Sequence, residues 1–458
     1  MKKILSLFVM LLVIAVVLPL VGNKFVQTHI ETKVRSLENF GLGVQKHSSD
    51  SSYFSSSEHY EFLLQDTDKF LEYLSQYSDK QIPKYVNATL DGILVGMDVK
   101  YSNIPLTKAI EVDIYPLALS SEISKNAKEN DPRFYSYIKN FLESKGILYH
   151  INYNIVSKDF DGYIKDINED YTLNDGTILN LKLKKALYKG NGDLIAPKSL
   201  NSSIEIVELN ANNNDKKLYL ALSHLSSSYS FESKATYLSG AKVESFLVEL
   251  DTAKEHIFVD TKDFHVNISL NDQGEKAELN TKISLESLDF KSKKLNFKTQ
   301  DYAYDMAING IDKKTLAQLQ TLVSQSNIKP SKQLTQKIML TGIELISKGL
   351  SIRLAQWKLD DLVLNKTQKL GGFDVKMDLK VKEDADLKTK INISPMLIAQ
   401  NVDMLLNIKV SKLLYANLSA NQSLFVMLNK YMKEDGENLL LDVSFKKNEL
   451  KLNGKKIN

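Results

Sequence analysis

The chain has 458 residues, 43% hydrophobic and 25% charged, enough to bury a core in one large or several ordinary domains. Its 59 basic and 56 acidic residues leave a net charge of +3, too weak a field to gather nucleic acid. Only Arg35, Arg133 and Arg353 could supply the planar forks that read bases or clamp phosphates, and the absence of cysteine excludes disulfides, thiolate metal sites and cysteine nucleophiles.

Lys2 and Lys3 precede an apolar run from Ile4 to Val21, broken by Ser6 and Pro19. At about 1.5 Å per residue the run spans roughly 27 Å, close to a hydrocarbon core. A cleaved signal peptide has a shorter apolar region and small residues at its cleavage site; Leu20, Val21 and Gly22 fit poorly. Residues 1–22 therefore read as an uncleaved signal anchor, a single transmembrane helix. Its clustered N-terminal charge points to export of the body. A juxtamembrane helix over residues 23–45 should follow, ended by Gly41 and Gly43. Val26, Ile30, Val34 and Leu37 form its apolar stripe, either a homodimer seam or a face packed on the chain's own body.

The body, residues 46–458, shows no Pro- or Gly-rich linker, and divisions near 170 and 311 are the candidates. "HSSDSSYFSSSEHYEFLL" reads as a polar loop leading into a strand near Tyr53. Thr67–Lys80 has helical spacing, and Gly92–Tyr101 and Ala109–Pro116 read as strands. Asp131 caps a helix that begins at Pro132 and ends before Gly146. From Thr172 to Phe297 nearly everything reads as β, punctuated by turns such as "NDG" and "NNND". Val266, Ile268 and Leu270 share a face, as do Leu279, Ile283 and Leu285; the phase then slips before Leu288, predicting a β-bulge near Glu286–Ser287.

Two helices follow over Asp312–Gly349, with Ser331 capping the second. Strands resume in "SIRLAQWKLDDLVL", "FDVKMDLKVK", "LKTKINIS" and "LLNIKV". A helix over Ser423–Gly436 and a closing hairpin complete the chain. In "FDVKMDLKVK", Val375, Met377, Leu379 and Val381 face one way and the charges the other, the pattern of an antiparallel strand with one solvated face. The fold class is α+β: a transmembrane helix, then an elongated body dominated by twisted antiparallel β-sheet with a few helices packed on it.

The search for chemistry returns little. No phosphate loop, dinucleotide fingerprint, zinc helix or nucleophile elbow is present, so no catalytic residue, cofactor or metal ligand is assigned. Ser-x-x-Lys occurs at Ser136, Ser326 and Ser444 without its companion motifs. His256 and His265 would make a metal site only by meeting across a turn with Asp260 or Asp263, and exposed strand-end histidines explain them as well. Asp360–Asp361 reads as a solvated pair, and Tyr53, Phe54 and Trp357 as core or interface aromatics.

The N-terminal anchor followed by "GNKF", the "SSDSSYFSSS" stretch, "RLAQWKL" and the terminal "LKLNGKKIN" occur in an order that resembles the YdgA-like family of Gram-negative bacterial proteins, a family of unknown function. Where that family has a His-Gly-Pro stretch this chain has "DIYPLAL", keeping only Pro116. The resemblance implies a single-pass inner-membrane protein with its body in the periplasm. The expected role is a non-enzymatic envelope scaffold or assembly factor. The alternative is an amphiphile- or lipid-binding protein that uses its apolar sheet face, and a cell-envelope hydrolase is a third reading. Expected partners are the inner membrane, envelope proteins or lipid, and a second copy of the chain.

Overall fold

The computed structural model describes residues 24, 26–28, 30–75, 87, 90–103, 109–194, 197–213, 215–233, 236–328, 331–365, 367–393, 395–419 and 428–457. The expected anchor, residues 1–22, lies outside them. Among the described residues no helix is long and apolar enough to cross a membrane. The fold is α+β and dominated by antiparallel strands. It divides between Glu205 and Ile206 into two units.

In the first unit, helix α1 (residues 24, 26–28 and 30–39) ends where Gly41 turns with φ +91°. A Cβ there would lie 2.2 Å from the Asp66 carbonyl, so glycine is required twice over. The polar stretch expected as a loop before Tyr53 is instead mostly strand, β1 (Leu42–Ser51), paired in a hairpin with β2 (Ser55–Leu64), the strand expected near Tyr53. Alternation explains it: Glu58, Tyr60, Phe62 and Leu64 are buried while the residues between them are not. Helix α2 (Thr67–Ser75) precedes β3 (Leu94–Ser102) and β4 (Ala109–Ala118). Helices α3 (Ser121–Asn130) and α4 (Pro132–Glu143) follow, the second capped by Asp131, which accepts from the Phe134 amide at 2.9 Å.

Strands β5 (Tyr149–Asn154) and β6 (Asp159–Ile164) extend the sheet. The hairpin β7 (Ile167–Thr172) and β8 (Ile178–Lys184) comes next, then β9 (Ala186–Gly192), which pairs with β6 and with the start of β10 (Pro197–Asn212). The core joins Tyr60, Phe62, Val99, Tyr101 and Ile110 to Val26, Ile30 and Val34, with Leu37 packed beside them. The apolar stripe of α1 therefore lies on the chain's own sheet, the second of its two readings.

The second unit is built on five long strands: β11 (Lys216–Ser233), β12 (Thr236–Thr252), β13 (His256–Gln273), β14 (Lys276–Ser292) and β15 (Asn296–Asp312). At about 3.4 Å per residue, the 18 residues of β13 run roughly 60 Å. Helices α5 (Lys313–Ile328) and α6 (Lys332–Ser347) intervene, Ser331 capping α6 as expected. The sheet continues through β16 (Leu350–Leu364), β17 (Gln368–Val381), α7 (Leu387–Ile393), β18 (Val402–Ser411) and α8 (Lys412–Ser419). Short strands β19 (Lys433–Asp435), β20 (Asn438–Lys446), β21 (Glu449–Leu452) and β22 (Lys455–Ile457) close it. Each strand from β11 to β18 is antiparallel to the next, and β20 joins β18.

Three expectations need correction here. "LKTKINIS" is helical over Leu387–Ile393: Asp384 holds Lys390 and Asn401, each at 2.6 Å, and Leu387 is fully buried, so tertiary contacts override a period-two pattern. The helix expected over Ser423–Gly436 lies partly outside the described residues. From Asn429 on, the chain forms a 3-10 turn and β19.

The third concerns the bulge near Glu286–Ser287. No residue is inserted there; β13 and β14 hold one register on both sides, Lys262↔Ser287 and His265↔Ser284. Instead the ladder breaks along one transverse line. His224 (φ +47°), Asp263 (φ +46°), Asp301 (φ +52°) and Gly371 (φ +73°) adopt left-handed backbone on every second strand. Short polar side chains and glycine tolerate that conformation best. The apolar pattern changes parity along the same line, from Leu222 to Leu225 and from Leu285 to Leu288.

Candidate functional site

The strand face picked out in the sequence sits in the middle of the second unit's sheet. Val375 pairs with Trp357 and Ile408, Met377 with Leu354 and Leu406, Leu379 with Ile352 and Met404, and Val381 with Leu350 and Val402. The rows run on: Trp357 pairs with Tyr304, which pairs with Ile283 and then Val266. Lys376, Asp378 and Lys380 are exposed between them. Across the strands Asp378 meets Arg353, and Lys380 meets Asp403, opposite charges that suit a solvated face.

Helices cover this sheet at two places. Leu316 of α5 and Leu345 of α6 pack on Leu270, Ala277 and Ile311. Leu414 and Tyr415 of α8 are buried with Leu370 and Val410. Helices over Asp312–Gly349 thus provide the first cover, while α8, which the sequence reading missed, provides the second. Between the covers Leu354 is buried, but Ile352, Val375, Met377 and Leu379 are only half-buried and Trp357 is 42% exposed.

The first unit carries a polar counterpart that sequence reading did not find. His59, Asp98, Asp113 and His150 stand opposite one another on β2, β3, β4 and β5. Asp98 and Asp113 are like charges face to face, an arrangement that needs compensation. His59 Nδ1 lies 2.6 Å from Asp98 and His150 Nδ1 lies 2.7 Å from Asp113. Lys145 and the Tyr115 hydroxyl also donate to Asp98, and Lys145 sits 4.2 Å above the Tyr115 ring. The other nitrogen of His59 lies 3.2 Å from Glu61, so this imidazole is held on both sides.

Burial pulls the Asp98 carboxyl upward, but hydrogen bonds from Lys145, His59 and Tyr115 outweigh it and hold it below the usual carboxylate range. A depressed carboxylate stabilises the fold above its unfolded value of about 3.9 and loses that contribution as pH falls through the folded value. Asp98→Asn should therefore lower the urea midpoint of the first unit at pH 7. The gap from the parent should close below about pH 4. A gap that persists unchanged at pH 3 would sink this assignment.

The remaining sequence candidates stay apart. His256 and His265 lie on one continuous strand, β13, near Asp251 and Asp263 respectively, so no turn brings them together. Among the described residues no cluster of three or more potential ligands could hold a metal. Ser136 bonds the Pro132 carbonyl and Lys139 pairs with Glu143, so they do not form a dyad. Asp360 pairs with Lys358 and Asp361 with Lys369. Tyr53 and Phe54, expected in a core or interface, project from the β1–β2 tip with Phe54 63% exposed. The fully buried Asn103 clamps that tip by donating to the Ser52 carbonyl at 2.6 Å.

Compared with known proteins, the chain matches no family model, no curated protein and no solved structure.

Proposed function

We propose that this chain is an envelope protein that binds amphiphiles on the apolar sheet face of its second unit. The observation that supports the reading is the set of apolar rows through Val375, Met377 and Leu379, half-exposed between two helical covers. A strip of apolar surface of that kind is maintained against its solvation cost when something apolar is bound there. The run Ile4–Val21 would anchor the chain in the inner membrane, with the body in the periplasm, as the YdgA-like resemblance implies. The scaffold reading would use a different surface, the exposed Tyr53–Phe54 tip.

Native mass spectrometry of the full chain, released from membranes in a mild detergent, separates the two. At least one lipid-sized adduct is expected on the parent chain, and Met377→Glu/Leu379→Glu should carry one fewer. Lys376→Ala, on the opposite face, should keep it. Circular dichroism must show all three chains folded. A clean mass for the parent, or equal adduct on all three, would overturn lipid binding on this face and move the search to protein partners.

A further inference from the structure

A second apolar site lies in the first unit, separate from the sheet face of the second. Between α1 and the sheet is a cleft of about 330 Å³. This is within the roughly 300–1,000 Å³ of small-molecule sites. Met97, Val99, Ile110, Val112 and Ile151 form its floor, and Ile30, Val34 and Leu37 of α1 form its wall. Its polar groups are few: Lys33, Ser36, Tyr153 and Asp193. Lys33 and Asp193 are paired at 2.6 Å, and both side chains are about half exposed, 47% and 48%.

We propose that this cleft binds a single acyl chain that ends in an anionic group, with the chain on the apolar floor and the anion on Lys33. The shape and lining fit one apolar tail. The polar groups decide the head. Lys33 brings three donors on a flexible stem, whereas Asp193 brings acceptors alone. Tyr153 lines the same cleft, and its hydroxyl, raised above its ordinary value chiefly by burial, is a further donor there. An incoming carboxylate or phosphate replaces the Asp193 carboxylate on Lys33. One half-exposed ion pair is thereby exchanged for another. A cationic head would gain only Asp193 and would leave both donors unused.

The test uses the full chain in an amphipathic polymer and three twelve-carbon probes, each with a photoreactive diazirine at the tail end. The heads are carboxylate, phosphate and trimethylammonium. Labelled peptides are mapped by mass spectrometry. The two anionic probes should label peptides from α1, β3 and β4, and whichever labels more strongly identifies the head. Lys33→Glu should cut that labelling at least tenfold, and Lys33→Arg should retain it. Asp193→Asn removes the competing carboxylate and should raise labelling severalfold. Equal labelling of Lys33→Glu, a loss in Asp193→Asn, or preference for trimethylammonium would each overturn the proposal. Met377→Glu/Leu379→Glu should label as the parent does, so failure of the sheet-face reading and failure of this one are distinguishable.

Discussion

Gly372→Ala is expected to destabilise the second unit by about 3 kcal/mol or more, at the upper end for a single substitution. A Cβ at this position would lie 1.7 Å from the Leu359 carbonyl oxygen and 2.6 Å from that of Asp360. Both obstacles are backbone, so no rotamer change relieves them. The strands β16 and β17 must separate, and they do so beside Phe373 and Val375, where the apolar rows begin. Gly371, the next residue back, already turns with φ +73°, so the chain has little freedom to yield there. Gly436→Ala is the control. Its φ is +58° with nothing within 4 Å, and only the left-handed penalty of about 1–2 kcal/mol applies. Trp357 is the one tryptophan in the chain and pairs with Val375, so its fluorescence in urea follows this sheet directly. Equal midpoints for the two variants would refute the steric argument.

How much of this was legible in the sequence depends on distance along the chain. The alternation of Phe373–Lys382 fixes which side chains share a face, because a strand's period is local. Asp131 and Ser331 were readable as caps for the same reason: the group each one satisfies lies three residues away. The slip before Leu288 was visible, but its cause was not. The left-handed residues that accompany it are Asp263 and Asp301, on the neighbouring strands. The covers were half readable. Leu316 and Leu345 lie on helices of 16 residues each, whereas α8 has 8 and follows β18 without a break.

The polar row of the first unit lay beyond reach for a different reason. His59, Asp98, Asp113 and His150 come from four strands, and no motif spacing links them; only the register of β2 to β5 brings them into line. The cleft under α1 is a similar case. Val26, Ile30, Val34 and Leu37 were recognised as a stripe, but what they face is decided by strands far along the chain.

The β1–β2 hairpin holds the second large effect: Glu58→Ala should cost the first unit about 3 kcal/mol, the range for breaking a buried charged network. Glu58 is 4% exposed and accepts from the Tyr60 hydroxyl and, at 3.1 Å, from the Tyr101 hydroxyl. His47 Nε2 lies 3.4 Å away, and its ring stacks on Tyr60 with centroids 4.3 Å apart. Burial, then the hydrogen bond and charge of Glu58, push the Tyr60 hydroxyl far above its ordinary value; burial and Glu58 push Tyr101 up to about 12. Both hydroxyls thus stay protonated donors through neutral pH. Removing the carboxylate leaves them buried without this acceptor, and each such loss costs about 1–3 kcal/mol. Glu58→Gln keeps an acceptor in place and should cost clearly less. The sign at high pH follows from the raised values: the stability they carry is whole below about pH 10 and is lost as pH rises through the folded values. Amide exchange in β2 and β3 reads the effect where it arises, since Tyr60, Phe62, Val99 and Tyr101 form the core on which Ile30 and Val34 of the cleft wall rest. Protection unchanged in Glu58→Ala would mean the network is dispensable, and the wall of the cleft would need another support.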